Sequence, residues 1–192
     1  MDNSLMIQKL KEAGIRFAPA LEEAEISRAE MTFGFRFPRE IRSFLSCGVP
    51  LGEEFFDWRD LSQANVEKFH GFQQKIRDTF LFDIAYNEQP LRELLGEACA
   101  CITEKDAFAR YVMEALEKSP RLIPFYANRC FFDGMDGMPV VSFWQAVDTI
   151  FYGSDFEHYL ENEFLRDPWD PCQGQISQDM KNTGIWHLVV EE

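Results

Sequence analysis

The feature of this sequence that most constrains its fold is a change in hydrophobic periodicity near residue 120. Before that point apolar residues recur at intervals of three and four, as in the run Phe69, Phe72, Ile76 and Phe80, a pattern that predicts an amphipathic helix. After it the sequence breaks into short β-branched and aromatic runs, RLIPFYA, CFF, PVVSFW and DTIFYG, with the turn sequence DGMDG between the second and third. Such runs are typical of an antiparallel meander. The two patterns together predict helices followed by a sheet.

We therefore expect one α+β domain over residues 1–192, in which helices pack on a mostly antiparallel sheet. With 192 residues, 46% of them hydrophobic, the chain is long enough to bury a core of its own. Residues 62–118 are expected to form a helical insertion. The expected strands lie at about 122–127, 139–144 and 148–153.

Two further segments have local signals. A helix is expected from Ser154 to about Leu165, directly after the last strand of the meander. Near the N-terminus, Pro38 suits the start of a short buried helix. A strand is expected after that helix, through Phe55 and Trp58.

The charge balance limits the classes of partner. Thirty-three acidic residues against nineteen basic ones give a formal net charge of −14, which repels phosphate backbones and anionic lipid surfaces and attracts basic proteins. No apolar run approaches the length that spans a bilayer, and the first residues lack a basic region followed by a hydrophobic one. We expect a cytoplasmic protein that binds neither nucleic acid nor membranes directly. The same acidity also serves solubility.

The sequence contains no pattern typical of a catalytic or metal site. The five cysteines are scattered, and the closest pair, Cys99 and Cys101, has no second pair or histidine nearby; we interpret each as a buried reduced thiol. The histidines His70, His158 and His187 lie on different expected elements, with the first two as surface residues, and no phosphate-binding or nucleophile motif is found. Ser142 and Ser154 have no evident base partner. We expect no catalytic residue, no cofactor and no tightly bound transition metal.

The stretch DTIFYGSDFEHYLENEF carries five carboxylates, and the helix wheel spreads them apart rather than converging them. Ser154 and Glu157 have the spacing of a capping box, in which each side chain satisfies the other residue's backbone N–H. Glu161 falls on a flank of the apolar stripe and Asp155 at its back, so both are expected in solvent.

Glu163 differs because it projects between Tyr159 and Leu160, near the centre of the apolar stripe. A partly buried carboxylate requires a partner, since leaving it unpaired costs several kcal/mol. The nearest candidates in the expected sheet are Arg121 and Arg129. We therefore predict a structural role for Glu163, held either by an arginine or by backbone N–H groups at the sheet.

Two tryptophans are candidates for partner binding. Trp58 lies in FFDWRD, where the carboxylates of Asp57 and Asp60 surround a large aromatic ring, a combination that suits an interface anchor. Trp144 lies at the far edge of PVVSFW. If both rings are partly exposed on one side of the sheet, they frame a shared groove for a basic protein; the alternative is that each covers the end of the core.

Two segments together resemble the SUKH superfamily, which contains the fungal cell-wall-assembly regulator domain and many bacterial immunity proteins. The first is EISRAEMTFGFRFPREIRSFLSCG, a helix, a Phe-Gly, an apolar-Pro pair and a helix ending in Phe-Leu. The second comprises PRLIPFYANRCFF, PVVSFWQAVDTIFYG and DFEHYLENEF, which are similar in order and spacing to the bacterial branch, with Asn128 in place of a histidine. The matches cover about half of the chain, at both ends.

The resemblance implies an α+β domain and, for bacterial members, a non-enzymatic role in immunity, that is, tight binding and neutralisation of a cognate toxin, often a nuclease. An acidic chain suits a basic nuclease partner. Two other functions stay open: a housekeeping regulatory module that binds a small molecule or peptide in an aromatic-lined cleft between helices and sheet, and an unrecognised enzyme.

Overall fold

The computed structural model describes residues 2–168, 170 and 178–191. In chain order the α-helices are α1 (Asn3–Glu12), α2 (Glu23–Phe33), α3 (Arg39–Leu45), α4 (Gln63–Tyr86), α5 (Glu88–Leu95), α6 (Lys105–Lys118), α7 (Phe156–Phe164) and α8 (Trp186–Val189). Short 3-10 helices span Gly96–Cys99 and Gln178–Thr183. Most of residues 62–118 is helical, as the periodicity predicts.

The strands form two sheets. Strands β1 (Arg16–Ala18) and β2 (Val49–Leu51) pair as a small antiparallel ribbon. The larger sheet has the order β3 (Leu122–Tyr126), β4 (Arg129–Phe132), β5 (Val140–Gln145), β6 (Asp148–Gly153) and β7 (Val190–Glu191). The first four strands form the predicted antiparallel meander, and β7 joins the edge parallel to β6. The α+β class and the strands of the meander are confirmed.

Each face of the larger sheet contributes to its own hydrophobic core, because successive side chains of a strand point to opposite faces. On one face an aromatic core joins the sheet to α1, α2, α3 and α7; it includes Phe33, Phe35, Phe37, Phe56, Trp58, Phe69, Phe125 and Phe131. On the other face a helical core joins the sheet to α4, α5, α6 and α8; it includes Ile76, Phe80, Leu91, Phe108, Val112, Phe132, Phe143 and Trp186. Helix α4 contributes to both cores.

The prediction of a strand through Phe55 and Trp58 is wrong: this segment forms one isolated β-bridge instead of a strand. Phe55 forms a single antiparallel bridge with Tyr126, and the Phe56 N–H donates to the Phe125 carbonyl at 3.1 Å. The chain then turns away, because the Asp57 carboxylate accepts the N–H of Arg59 at 2.9 Å, a local turn that competes with strand pairing.

Helix α7 lies against the end of β6 because residue 153 is a glycine. A Cβ atom added at Gly153 would lie 2.5 Å from the Cα of Tyr159, which is closer than any side chain tolerates. This contact brings α7 close to the end of β6. The helix ends at Phe164, close to the predicted Leu165.

Candidate partner-binding surface

A shallow cleft of about 430 Å³ lies between α4 and the end of β5. Phe82 and Trp144 contribute its aromatic wall, and Lys75, Asp78, Thr79 and Gln145 also line it. Trp144 is 60% exposed and Phe82 is 49% exposed. Of the two alternatives for Trp144, the structure shows the exposed one, beside an aromatic residue of a different element.

The sequence of α4 explains why Phe82 faces outward. Phe80 and Ile84 lie in the helical core, and a residue two positions from each is rotated by about 200° around the helix. Phe82 therefore points away from the core that its neighbours fill. One turn later Tyr86 is 76% exposed, with its ring centroid 4.9 Å from that of Phe82.

A buried carboxylate holds this part of α4 to the sheet. Asp83 has no exposed surface, and its Oδ2 accepts the N–H of Val147 in the turn between β5 and β6 at 3.1 Å. Its Oδ1 accepts the Asn87 side-chain amide at 2.7 Å. The first of these hydrogen bonds ties the turn to α4, close to the cleft that Phe82 and Trp144 line.

Leu81, the residue before Phe82 on α4, is also 47% exposed. We name Leu81, Phe82, Tyr86 and Trp144 the aromatic surface. Soluble proteins expose single apolar side chains often but rarely expose large contiguous groups of them, and such groups mark interaction sites. Of these four residues only Trp144 is a candidate from the sequence; the other three are apolar residues off the core-facing stripe of α4.

The charges in the cleft have distinct roles. The Lys75 Nζ lies 5.2 Å from the centroid of the Trp144 ring, within the range of a cation–π interaction. The Asp78 Oδ1 accepts the Gln74 side-chain amide at 2.8 Å. Within residues 2–168, 170 and 178–191 no basic side chain forms an ion pair with Asp78. The cleft therefore combines an aromatic wall with a carboxylate that has no cationic partner there.

Of the two alternatives for Trp58, the structure shows the core residue, so its assignment as a partner-binding residue is wrong. The ring is 2% exposed and lies in the aromatic core, 4.3 Å from the Phe56 ring and 5.1 Å from the Phe35 ring, centroid to centroid. The cause is that α2 and the Phe-rich segment after it cover this side of the chain. Trp58 does not line the cleft beside Trp144, so the two tryptophans do not frame a shared groove.

Asp57 and Asp60 are exposed, but both carboxylates have local structural roles. The Asp57 carboxylate accepts the N–H of Arg59 at 2.9 Å, and the Asp60 carboxylate accepts the N–H of Ser62 at 2.9 Å. The second hydrogen bond lowers the pKa of Asp60. Both residues shape the turn that leads into α4, and their charges remain at the surface.

The predicted partner of Glu163 is confirmed. Its Oε2 accepts the Arg129 Nε–H at 2.8 Å, and the two side chains are only 14% and 15% exposed. The guanidinium also stacks 3.7 Å from the Tyr152 ring centroid and donates to the Ser142 Oγ at 3.0 Å. Burial acts to lower the pKa of Arg129, but Glu163 and Tyr152 together outweigh it, so the pKa is raised. The second candidate, Arg121, pairs instead with Asp133 at 2.8 Å.

The capping box of Ser154 and Glu157 is wrong, because α7 begins one residue later than that motif requires. Asp155 is the N-cap, and its carboxylate accepts the N–H of His158 at 2.8 Å. Asp155 was expected only to be solvated. Its short carboxylate is as good an N-cap as serine and also suits the positive end of the helix dipole.

Ser154 has a histidine partner that the sequence analysis missed. Its Oγ lies 3.0 Å from the Nδ1 of His158, and the Nε2 of His158 lies 3.4 Å from the Asp170 Oδ2. The order resembles a serine, histidine and aspartate triad. Asp170, however, is 47% exposed and pairs with Arg166, whereas a catalytic triad depends on a buried carboxylate devoted to the imidazole. His158 itself is 11% exposed rather than a surface residue.

Among the residues that the structure describes, no three His, Cys, Asp or Glu side chains are placed to hold one metal ion. In the same part of the chain, no helix has both the length and the hydropathy needed to cross a bilayer.

No protein-family profile, no curated protein and no solved structure matches this chain.

Proposed function

We propose that this chain is a non-enzymatic binding protein that binds and neutralises a cognate basic toxin, and that the toxin docks on the aromatic surface. The observation that carries the proposal is the exposure of Leu81, Phe82, Tyr86 and Trp144 together on a chain with a net charge of −14. The resemblance to bacterial immunity proteins gives independent support.

The aromatic surface and the negative charge of the chain contribute to different steps of binding. Tryptophan and tyrosine dominate interface energetics, because they bury much area at a small cost in side-chain entropy. The acidic charge acts over longer distances, about 10 Å at 0.1 M salt, and accelerates the approach of a basic protein. The carboxylates of Asp57 and Asp60 contribute to this attraction from the surface, whereas Trp58 has no contact role.

A peptide-binding regulatory module is the second candidate, and the cleft favours it, because about 430 Å³ lies within the usual range for ligand sites. The half-exposed rings of Phe82 and Trp144 suit a peptide or protein segment better than an enclosed small molecule. This candidate shares the aromatic surface but requires no toxin.

The test is affinity capture from the native lysate with three forms of the protein. The double variant Phe82→Ala, Trp144→Ala removes the centre of the surface. The matched control Leu5→Ala, Met31→Ala removes two exposed apolar side chains from α1 and α2. Parent and control should retain one stoichiometric basic protein, and the double variant should lose it, since truncating an interface anchor costs roughly 2 kcal/mol or more.

Neutralisation is tested with the captured protein itself. Expression of that protein alone should arrest growth, and co-expression of the parent chain, but not of the folded double variant, should restore it. Affinity should fall as salt rises, mainly through slower association. Retention of the same protein by all three forms, or a captured protein without toxicity, would contradict the proposal.

A further inference from the structure

We infer that the cleft between Phe82 and Trp144 accepts an arginine side chain of the partner, with Asp78 as its counter-ion. This inference rests on the proposed function, because it assigns a binding role to the centre of the same aromatic surface. It adds the chemical class of the group that is recognised.

Asp78 is a carboxylate that forms no ion pair among the residues that the structure describes. Asp78 lines the cleft, and one of its oxygens accepts the Gln74 amide. An ionised carboxylate offers about four lone-pair sites. The remaining oxygen can thus accept a charged donor, and a chain with a net charge of −14 has more such carboxylates than cations to pair with them.

The Trp144 wall of the cleft already attracts a cation. The Lys75 Nζ lies over the Trp144 ring at 5.2 Å from the centroid, so the chain's own ammonium occupies part of the ring face. A compact, strongly hydrated ammonium gains less from an aromatic face than a guanidinium does. Lys75 is therefore a weak internal occupant that an arriving arginine displaces.

The shape of a guanidinium fits the groups that line the cleft. A guanidinium is planar, stacks on aromatic faces and donates in a fork that fits a carboxylate. Trp144 and Phe82 contribute aromatic surface, and Asp78 lies in the same cleft. Arginine is the natural side chain that uses both features at once. A lysine ammonium can also approach the ring face or the carboxylate, but it lacks the planar fork and the stacking plane of a guanidinium.

The experiment follows the indole N–H signal of Trp144 by NMR, assigned through its loss in Trp144→Phe. The probe is the peptide acetyl-Gly-Arg-Gly-amide, and the control peptide has citrulline, the neutral isostere, in place of arginine. The arginine peptide should shift the signal saturably in the millimolar range. The citrulline peptide should bind at least fivefold more weakly, because it lacks the cation.

Variants separate the roles of the individual side chains. Asp78→Asn and Phe82→Ala should each weaken binding by roughly two- to fivefold. Asp106→Asn, which removes an exposed charge on α6 outside the cleft, should leave binding unchanged. Lys75→Gln should strengthen binding, because it removes the internal competitor, a result that a merely structural lysine would not give.

Equal shifts with the arginine and citrulline peptides, no shift at all, or weaker binding in Lys75→Gln would each overturn the inference. Failure of the proposed toxin-binding function can be told apart from failure of the arginine site. If the lysate contains no toxin but the peptide binds as expected, the arginine site stands without the immunity role. If a toxin is captured through Phe82 and Trp144 but ignores Asp78→Asn, only the arginine site fails.

Discussion

The regions around Trp58 and Trp144 begin from similar local sequences and reach opposite environments. Both tryptophans follow phenylalanine-containing strand-like segments, FFDW and SFW. Trp58 is 2% exposed within the aromatic core, whereas Trp144 is 60% exposed at the edge of a cleft. The comparison teaches that a large aromatic residue in a strand-like run does not by itself indicate either an anchor or a core residue.

The difference is caused by distant parts of the chain. The Trp58 ring is covered by phenylalanines from α2 and from the segment after it: Phe33, Phe35 and Phe37, at 5.1 to 5.6 Å between ring centroids. Beside Trp144, α4 presents Lys75, Asp78 and Phe82, which leave one side of the ring open. Burial was therefore set by which helix packs nearby and by which of its faces is apolar.

The largest expected effect tests this comparison directly. Trp58→Ala should lower the free energy of unfolding by about 3–5 kcal/mol, as for other large aromatic residues in cores. Trp144→Ala should change it by no more than roughly 0.5–1 kcal/mol, because the ring is mostly in solvent. Urea denaturation followed by circular dichroism measures both. Equal losses would show that the two environments are alike.

A refinement uses Trp58→Phe. The Trp58 Nε1 has no hydrogen-bond partner among the residues that the structure describes, so the ring stabilises by packing alone. Phenylalanine keeps part of that packing and brings no N–H group. Its effect should be clearly smaller than that of alanine.

The next effect extends the comparison from aromatic residues to two carboxylates of the same helix. Glu163 is paired with Arg129 in a largely buried site, and Glu161 is paired with Arg166 near the surface. Glu163→Ala should cost roughly 1–3 kcal/mol, because it leaves a buried guanidinium without its counter-charge. Glu161→Ala should cost less than about 1 kcal/mol. Negligible, equal changes in thermal unfolding would show that both pairs behave as solvated ones.

The smallest effect concerns thiol reactivity rather than stability. The expectation of buried thiols holds for Cys99 and Cys130 but is wrong for Cys47 and Cys101, which are exposed; Cys172 lies outside the described residues. Burial raises the pKa of the Cys130 thiol far above its usual value, so little reactive thiolate forms.

Iodoacetamide at pH 8 should therefore modify Cys47 and Cys101 in the native protein, as measured by peptide mass spectrometry. Cys99 and Cys130 should react only after unfolding in urea. The urea-treated sample is the control for intrinsic reactivity. Rapid native labelling of Cys130 would mean that the sheet around it opens readily.

Much of the fold follows from hydrophobic periodicity. The helical spacing of Phe69, Ile76 and Phe80 predicts α4, and the short runs after residue 120 predict the meander, because each pattern is local. The pairing of Glu163 with an arginine also follows, since a carboxylate in an apolar stripe requires a partner. The sequence left both Arg121 and Arg129 as candidate partners of Glu163. Only the sheet register brought the Arg129 Nε, and not Arg121, to 2.8 Å from the Glu163 Oε2.

At the binding surface, the properties that depend on local sequence differ clearly from those that depend on tertiary packing. Residue type and spacing predicted a strand up to Trp144, a helix with Phe69, Ile76 and Phe80 on its apolar face, and an acidic chain. Only the tertiary structure decided that Phe82 and Trp144 meet in one cleft and that Trp58 is buried. The physical reason is that burial and contact between distant segments arise from packing of whole elements, such as α4 and the turn at Val147 that Asp83 ties to it.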